Sequence, residues 1–532
     1  MISTAILLAF LACNFSTEPT VTVTTRPSPK TTEEPNQPDE NTGFESVFEV
    51  KPEDWETVPR DYVRAVYKDT FHPKWSGDAF LHLSAGHYIL ADTTPRSNDR
   101  RKRAFHLSTY ERESRIPLLV YTPGDPNPGP NDQAVNLQHV GATLFDMLGM
   151  QMPKNVAVDP LEVHLPEPPK FIMVMVYDAL SWAHWDRYLA KKPVHAGLRA
   201  ASREWTQTRL GHMSSSTTVS HSVLSTGQAP RYTGIPINHS RTGTGLYEEV
   251  FVGERPERLL VPTVADLYDA KHDNKPIIAS FCSQSRAAIA MAGHGLAHPM
   301  GDADFVVWQE NYHGALRTNT TYWSMPEYME KINPEDLLKE VSGQTFNEMR
   351  LITLRHMFRS PHTIKIGEQV VNAWLDNEPF GQDEFTDLMF INQKVLDNIA
   401  HRMSADAESF RDALDALDEY MGRLLDTLNR KFGDDYTLIL TSDHGFGPRL
   451  ALPNKVRDPR RVDLETLIEK ANETLGVPGL VEDVQYLNIY LNRDKLKSSG
   501  KSLDDVCTVF SAHQWVEYCI TKDELTREDT EK

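Results

Sequence analysis

Five short apolar runs constrain the fold of this 532-residue sequence more than any other feature. Each run is six or seven residues long and shows no regular alternation of polar and apolar residues. Such continuous runs are typical of strands buried on both faces, and they favour a parallel sheet covered by helices. The runs are Phe171–Tyr177, Pro276–Phe281, Asp387–Asn392, Thr437–Ser442 and Pro117–Thr122.

The segments between these runs carry helical patterns. In residues 409–428, six apolar residues recur at helical spacing and form one stripe, which we expect to pack against the core. The runs and the helices together predict an α/β fold, with a mostly parallel sheet covered by helices on both faces. Residues 152–170 are rich in proline and lack periodicity, so they are predicted to be a linker. The stripe consists of Leu414, Leu417, Met421, Leu424, Leu425 and Leu428.

The composition is that of a globular protein with an acidic net charge. Hydrophobic residues make up 40% of the chain, and the formal net charge is -20. This charge argues against a nucleic-acid-binding face, which needs a basic surface. No apolar run approaches the roughly 20 residues of a membrane-spanning helix.

The N-terminus has the composition of an export signal. Residues 1–13 are predicted to be a signal peptide, because the apolar stretch Ala5–Cys13 is too short for a spanning helix. Its end, Leu11-Ala12-Cys13, resembles a bacterial lipobox, in which Cys13 would be lipidated and would anchor the protein to a membrane. The alternative is a plainly cleaved signal peptide. Residues 14–43 are rich in Thr, Pro and Glu and are predicted to be a disordered tether. We therefore expect an exported protein, either periplasmic or an outer-membrane or cell-surface lipoprotein.

Three cysteines remain after Cys13. In an exported protein, Cys507 and Cys519 could form a disulfide, because disulfides persist in oxidising compartments. Cys282 ends an apolar run and is predicted to be a buried thiol.

Polar residues that follow the apolar runs are the candidates for a catalytic site. Asp178 follows one run, and Asp443 and His444 follow another, where α/β sheets build their sites. Asp397 and His401 stand four residues apart, so both face one side of a helical turn. Carboxylates with neutral imidazoles are ligands for zinc and similar divalent ions. Taken singly, each has an ordinary structural alternative, such as a helix cap for a strand-end Asp.

A further pattern crowds hydroxyl groups at the start of a predicted helix, in "SSSTTVSHSVLSTG" (Ser214–Gly227). Together with the candidates above, it resembles the alkaline phosphatase superfamily, especially the nucleotide pyrophosphatase/phosphodiesterases and the phosphate-irrepressible alkaline phosphatases. The family pattern is a strand-end Asp, a T-x-x-x-H segment that ends in TG, then DxxxH, then a strand that runs into DHG. Here the corresponding elements are Asp178, "TTVSHSVLSTG", "DNIAH" and "SDHG". The resemblance extends from roughly Lys170 to the C-terminus.

The resemblance implies a phosphoric ester hydrolase that uses a Thr nucleophile and two divalent metal ions, expected to be zinc. The nucleophile position of the family falls on Thr217, and its oxyanion-binding Asn, 21 residues later, falls on Asn238. A metal would lower the pKa of the Thr217 hydroxyl, and the free amides of the helix it opens would favour the transferred anion. The neighbouring hydroxyls are natural N-caps. The implied ligands of the first metal are Asp178, Thr217, Asp443 and His444.

The second metal would take Asp397, His401 and one more histidine from a closing segment shaped like H-G-S-x-Y…VP. Nothing after His444 fits this shape, and His513 lacks the context. Near the N-terminus, "HLSTYERESRIPLLVYTPG" places His106 eleven residues before Pro117, as in the family, although Leu107 departs from the family's Gly. The segments before and after it, "FHPKWSGDAFLHL" and "VGATLFDMLGM", also resemble the family's C-terminal sequence.

These similarities predict a circular permutation. Residues 44–151 would be equivalent to the family's C-terminal part, and residues 152–170 would link them to the remainder of the catalytic domain, 171–532. Permutation is tolerated where the original chain ends lie close together on the surface. The alternative is that His106 is an ordinary surface histidine and the second site lacks a ligand.

The substrate class stays open between phosphate monoesters and diesters. The irrepressible phosphatases carry a Lys-x-Arg pair for phosphate oxygens; here Arg286 fits the Arg, but Gln284 replaces the Lys. Gln supplies no charge, so diesters become a real alternative, and Arg286 itself could form a surface salt bridge. The absence of a C/S-x-P-x-R motif argues against a formylglycine sulfatase. The alternative from another class is a surface-anchored binding protein with a degraded site.

Overall fold

The computed structural model describes residues 59–90, 102–163, 165, 167–241, 247–309, 314–346, 349–451 and 458–527. The predicted signal peptide and tether lie outside the described residues. Within the described part of the chain, no helix combines the length and apolar character that crossing a membrane requires.

The described part of the chain contains nineteen strands. In chain order they are β1 Ala79–Leu83, β2 Tyr88–Leu90, β3 Leu118–Tyr121, β4 Gly129–Asn136, β5 Phe171–Tyr177, β6 Arg203–Arg209, β7 His239–Arg241, β8 Tyr247–Glu249, β9 Ile278–Cys282, β10 Phe305–Gln309, β11 Leu316–Arg317, β12 Thr345–Phe346, β13 Met349–Arg350, β14 Asp387–Gln393, β15 Tyr436–Thr441, β16 Arg461–Asp463, β17 Val481–Gln485, β18 Asn488–Leu491 and β19 Val516–Thr521.

The α-helices alternate with many of these strands. They are α1 Arg60–Thr70, α2 Glu111–Ser114, α3 Gln138–Met147, α4 Trp182–Arg187, α5 Pro193–Ala200, α6 Thr217–Thr226, α7 Pro230–Thr233, α8 Val264–Lys271, α9 Ser285–Ala292, α10 Pro334–Val341, α11 Leu354–Met357, α12 Ile364–Asn377, α13 Val395–Met403, α14 Glu408–Phe432, α15 Leu464–Leu475, α16 Arg493–Ser499, α17 Leu503–Ser511 and α18 Lys522–Thr526. Short 3-10 helices lie at Leu189–Lys191, Gly295–Ala297, Glu327–Lys331 and Pro361–Thr363.

A nine-stranded sheet contains all five apolar runs, in the order β11-β10-β9-β14-β5-β15-β3-β6-β4. The five strands β10, β9, β14, β5 and β15 run parallel to one another. The prediction of an α/β fold with a mostly parallel sheet is confirmed. Every residue of β5 is buried, because helices cover both faces of the sheet. Alternate β5 side chains enter two separate core clusters, one on each face.

Strand β3, the run nearest the N-terminus, lies in the same sheet as β5 and β15 but runs in the opposite direction. It pairs antiparallel with β15 on one side and with β6 on the other. The continuous apolar run predicted burial but not this direction. Because β3 is reversed, the residues that precede it lie at the edge where the parallel strands end. The segment that contains His106 therefore reaches the carboxyl edge of the sheet.

The predicted helical stripe lies on one face of the sheet. Helix α14 buries Leu414, Leu417 and Met421 in the core cluster of that face, while Leu425 is half-buried against it. Helices α3, α6 and α8 pack on the other face. Residues 152–163 contain no helix or strand, yet Leu161 is buried in this second cluster, so the predicted linker packs along the domain.

A smaller sheet of order β17-β18-β1-β19 joins the two ends of the chain. Strand β1 pairs antiparallel with both β18 and β19. Beside it, Cys507 and Cys519 form a disulfide, the pairing that the sequence left open. Cys282 is a buried free thiol, as expected.

The contact between α3 and α6 generates a test of how the N-terminal segment is held. A methyl group on Gly141 of α3 would overlap the backbone of Gly227, which ends α6. Gly141→Ala should therefore lower the free energy of unfolding by about 1–3 kcal/mol, measured by urea denaturation. The matched control is Gly197→Ala in α5, where nothing lies within 4 Å of an added methyl group. That variant should be neutral or slightly stabilised; equal losses in both would contradict close packing of α3 on α6.

Candidate active site

The carboxyl edge of the large sheet gathers most of the predicted site residues. Asp178 directly follows β5, and Asp443 and His444 follow β15. Asp397 and His401 lie on α13, which follows β14. The first three side chains are at most 1% exposed, so the sheet brings charged groups into a dry environment. Such groups need a partner of opposite charge.

His106 lies beside the two ligands predicted for the second metal. Its Nε2 is 3.6 Å from Asp397 Oδ1, and His401 Nε2 is 3.4 Å from the same oxygen. The potential ligand atoms of these three residues all lie within 4.8 Å of one another. A residue 291 positions before Asp397 thus completes a three-residue group. His106 is 8% exposed, so it is not a surface histidine.

The residues predicted for the first metal form an adjoining group. His444 Nε2 is 3.6 Å from Asp178 Oδ1 and 3.4 Å from Asp443 Oδ2. Asp178, Asp397 and His444 also have ligand atoms within 4.8 Å of one another, so Asp397 lies between the two groups. The other Asp443 oxygen, Oδ1, accepts a hydrogen bond from Ala179 N at 3.0 Å. One carboxylate oxygen is thereby fixed while the other stays available.

The three histidines are all held in the same way. Each Nδ1 bonds to a backbone carbonyl, which can only accept, so Nδ1 carries the proton and Nε2 offers a lone pair. Buried carboxylate oxygens without any hydrogen-bond partner face these nitrogens: Oδ1 of Asp178 and Asp397, and Oδ2 of Asp443. A group of buried acceptors without donors fits divalent cations such as zinc. The Nδ1 partners are Ser215 O for His106, Ala104 O for His401 and Gly445 O for His444.

Burial sets the protonation of this centre. It lowers the pKa of His401 to about 3, and it lowers the pKa values of His106 and His444, so the imidazoles are neutral. Burial also raises the pKa of Asp443, and the neighbouring Asp178 adds to that rise. For Asp397, burial acts in the same direction, but the charges of Lys394 and the histidines hold its pKa well below the usual value. Neutral imidazoles and an ionised carboxylate are the ligand forms of these groups.

Thr217 is the first residue of α6 and is 2% exposed. It follows β6, another strand that ends at this edge of the sheet. The Asn238 side chain lies at the same helix start, where its Oδ1 accepts a hydrogen bond from Thr218 N at 3.2 Å. The structure thus brings the predicted nucleophile and the predicted oxyanion-binding residue together beside the free amides of a helix N-terminus.

Arg286 is placed differently from the other predicted site residues. It lies in the first turn of α9, which follows β9, and its guanidinium pairs with Glu249 Oε1 at 3.2 Å. Its side chain is 25% exposed. The surface ion pair considered as an alternative is therefore present. Arg286 is still near enough to Lys394 to interact with it, although burial and then the neighbouring carboxylates have larger effects on the Lys394 pKa, which the carboxylates raise above its usual value.

Sequence reasoning missed Lys394 and Asn392. Lys394 Nζ lies 2.7 Å from Asp178 Oδ2 and 2.9 Å from Asp397 Oδ2. Asn392 Nδ2 donates to the same Asp178 oxygen at 2.9 Å. Both residues stand at the end of the apolar run of β14, so the rule that selected Asp178 would also have selected them.

A buried carboxylate organises the loop that carries His106. Glu113 Oε2 accepts hydrogen bonds from the backbone N–H groups of Leu107 and Ser108 at 2.7 and 2.8 Å. Its other oxygen accepts from the Tyr88 hydroxyl at 2.5 Å. Glu113 is fully buried, and through these hydrogen bonds it fixes the backbone next to His106.

Comparison with known proteins agrees with this geometry. The sequence model of the family "Type I phosphodiesterase / nucleotide pyrophosphatase" matches residues 173–522. The chain belongs to this family. Two curated relatives are alkaline phosphatase PafA of Elizabethkingia meningoseptica and alkaline phosphatase PhoK of Sphingomonas sp.. PafA is 21% identical over 421 residues, which cover 67% of this chain and 76% of PafA. PhoK is 24% identical over 410 residues, which cover 67% of this chain and 71% of PhoK.

Solved structures of PafA also resemble this fold. The crystal structure of wild-type PafA superposes with a TM-score of 0.51 at 16% identity, covering 69% of this chain and 78% of PafA. A PafA variant structure gives a TM-score of 0.52. The predicted membership of the alkaline phosphatase superfamily and the predicted phosphoric ester hydrolase are confirmed. The family match begins after His106, so it includes all the predicted site residues except that histidine.

Proposed function

We propose that this protein is a metal-dependent phosphoric ester hydrolase with Thr217 as its nucleophile and two zinc ions as cofactors. The observation that carries the proposal is the convergence of three imidazole lone pairs and three unpartnered carboxylate oxygens beside the N-terminus of α6. Bound divalent ions would supply positive charge that polarises the phosphoryl group and favours the ionised Thr217 hydroxyl. Asp178, Thr217, Asp443 and His444 would hold one ion, and Asp397, His401 and His106 the other.

The protein's own groups account for two displacement steps. Thr217 Oγ1 releases its proton to solvent and forms a bond to phosphorus while the bond between phosphorus and the alcohol oxygen breaks, and the departing alcohol oxygen takes a proton from water. The free N–H groups of the first turn of α6, with the Asn238 side chain, bind the charged phosphoryl oxygens. Water then attacks the phosphothreonine, which releases phosphate and restores the Thr217 hydroxyl. Burial of the centre strengthens these electrostatic contacts.

The proposal includes the circular permutation. Two observations support it: the family match starts at residue 173, and the preceding segment supplies both His106 and strand β3 next to β15. Helix α3 of the same segment packs on α6, the helix that Thr217 opens. Residues 44–151 would thus stand in the place of the family's C-terminal part.

The names of the curated relatives and the charges near Thr217 favour different substrate classes. We propose phosphate monoesters as the first candidate, since both curated relatives are named alkaline phosphatases. Phosphodiesters are the second candidate, favoured by the uncharged Gln284 and by the pairing of Arg286 with Glu249. A binding protein with a degraded site is disfavoured, because a degraded site would not retain this complete set of oriented imidazole and carboxylate ligand atoms.

Export is also proposed, with Cys13 as the lipid-anchored residue. The disulfide between Cys507 and Cys519 supports an oxidising compartment.

The nucleophile is tested by Thr217→Ala. This change removes the attacking oxygen, so the kcat for p-nitrophenyl phosphate should fall by about 1,000-fold or more while the circular dichroism spectrum stays unchanged. Thr218→Ala is the matched control, since the Thr218 hydroxyl is buried without a hydrogen-bond partner. Turnover within about tenfold of wild type in Thr217→Ala would refute the assignment.

The origin of the second metal site is tested by His106→Ala. Losing one of three ligands should lower the zinc content, measured by plasma mass spectrometry after dialysis, from about two to about one per chain. His513→Ala is the control, because His513 stacks on Trp515 and is the C-terminal histidine that a non-permuted chain would need. Zinc loss in His513→Ala but not in His106→Ala would reverse the assignment.

The substrate preference is tested by Arg286→Ala. A monoester dianion has more charge to stabilise than a diester, so kcat/KM should fall by about tenfold for p-nitrophenyl phosphate and less for bis-p-nitrophenyl phosphate. Arg423→Ala is the control, because Arg423 forms a comparable ion pair with Glu368. Equal losses on both substrates would show that Arg286 does not bind the additional oxygen of a monoester.

A further inference from the structure

We propose that Lys394 is a third cation of the catalytic centre, which bridges the two groups of metal ligands and donates a hydrogen bond to the nucleophile. This inference rests on the proposed function for its catalytic part. Lys394 follows β14 directly, and its side chain is 1% exposed. A lysine buried to this degree needs acidic partners, and here they are Asp178 and Asp397, two of the residues assigned to the metals.

The ammonium group of Lys394 has three N–H donors, and three acceptors surround it. Nζ lies 2.7 Å from Asp178 Oδ2, 2.9 Å from Asp397 Oδ2 and 3.3 Å from Thr217 Oγ1. One acceptor comes from each metal-ligand group, and the third is the proposed nucleophile.

Lys394 and the metals would use different atoms. The ammonium group contacts Oδ2 of Asp178 and Asp397, whereas Oδ1 of each carboxylate has no hydrogen-bond partner. The unpartnered Oδ1 atoms are also the ones that face the histidine Nε2 atoms. A carboxylate can bind one cation with each oxygen, so Lys394 does not occupy a metal position. The geometry points to simultaneous binding rather than competition.

The charge balance gives Lys394 a role both with and without metals. With two divalent ions bound, Asp178, Asp397 and Asp443 would bring three negative charges to the buried centre, and Lys394 contacts two of these carboxylates, Asp178 and Asp397. Without metals, it separates two neighbouring carboxylates that would otherwise repel each other in a dry environment. With two divalent ions bound, it raises the net charge from one positive to two, which matches a phosphoryl dianion.

The contact with Thr217 places part of this charge at the reacting oxygen. During attack the oxygen loses its proton, and during hydrolysis of the phosphothreonine it is the leaving oxygen. A fixed ammonium donor at 3.3 Å favours the deprotonated oxygen from which attack starts, and it stabilises the negative charge that develops on this oxygen as it leaves in the second step. Lys394 therefore affects the rate of reaction more than the binding of substrate.

The catalytic part is tested with Lys394→Met in the zinc-loaded enzyme. The kcat for p-nitrophenyl phosphate should fall by about 100-fold, KM should change by less than about threefold, and the zinc content should stay as in wild type. The control is Lys431→Met, since Lys431 donates to the Glu378 carbonyl and lies outside the centre. A kcat within about threefold of wild type would overturn the catalytic role. A higher zinc content in Lys394→Met would also overturn it, because Lys394 would then be a substitute for a metal.

The electrostatic part is tested without turnover, by a double-mutant cycle in the chelated protein. Lys394→Met should lower the Tm by about 3 °C or more, whereas adding it to Asp397→Asn should lower the Tm much less, since the ammonium and carboxylate charges are then removed together. Should Lys394→Met fail to fold, the Asp397→Asn/Lys394→Met variant decides, because its charge balance equals that of wild type. Additive effects, or a double variant that is also unfolded, would overturn the bridge.

These outcomes separate the two proposals. If Thr217→Ala retains activity, the proposed function fails, while the cycle in the chelated protein still measures the ammonium bridge. If Thr217→Ala is inactive but Lys394→Met turns over normally and the cycle is additive, only the inference about Lys394 fails.

Discussion

Repulsion among three buried carboxylates is the constraint on which the centre depends. Asp178, Asp397 and Asp443 converge where the parallel strands β5, β14 and β15 end, and helices exclude water from both faces of the sheet. The sheet thereby concentrates negative charge where solvation is weakest. The Ala179 N–H binds one Asp443 oxygen, the Asn392 amide and the Lys394 ammonium bind the same Asp178 oxygen, and Lys394 also binds one Asp397 oxygen. The oxygens that remain have no hydrogen-bond partner, so the fold leaves candidate cation ligands at this edge of the sheet.

The direction of β3 decides which part of the chain can place a further imidazole beside these carboxylates. In a wholly parallel sheet, the residues before a strand would lie at the amino edge, far from the centre. Because β3 is antiparallel to β15, His106 approaches from the carboxyl edge and stacks on the His444 ring at a centroid distance of 3.7 Å. Glu113 then fixes the loop through two backbone N–H groups. A ligand from the N-terminal segment thus depends on one reversed strand and one buried carboxylate.

The sequence carried enough information for the parallel strands and for most of the candidate centre. Continuous apolar runs predicted the strands because burial on both faces leaves no polar positions, and the residues after the runs included Asp178, Asp443 and His444. The reversal of β3 was not predictable from its run, since buried strands look alike in either direction. Lys394 was missed because a lysine after a strand ordinarily faces solvent; only the three-dimensional placement of Asp178 and Thr217 shows that it is buried. The pairing of Arg286 with Glu249 is likewise a contact between distant segments, with no local signal.

The placement of positive charge in this centre bears on the choice of substrate. Related phosphatases carry a Lys two residues before the Arg, where this chain has the uncharged Gln284, and Arg286 shares its charge with Glu249. Positive charge at those positions acts on the non-bridging phosphate oxygens. These oxygens carry more negative charge in a monoester than in a diester. Lys394 instead contacts the hydroxyl oxygen of Thr217, the proposed nucleophile, which would form the same bond to phosphorus in both substrate classes. Positive charge beside Thr217 instead of at the Lys-x-Arg positions would still accelerate the chemical step. It would discriminate less between monoesters and diesters. We therefore infer that this centre separates monoesters from diesters less sharply than one with the full Lys-x-Arg pair.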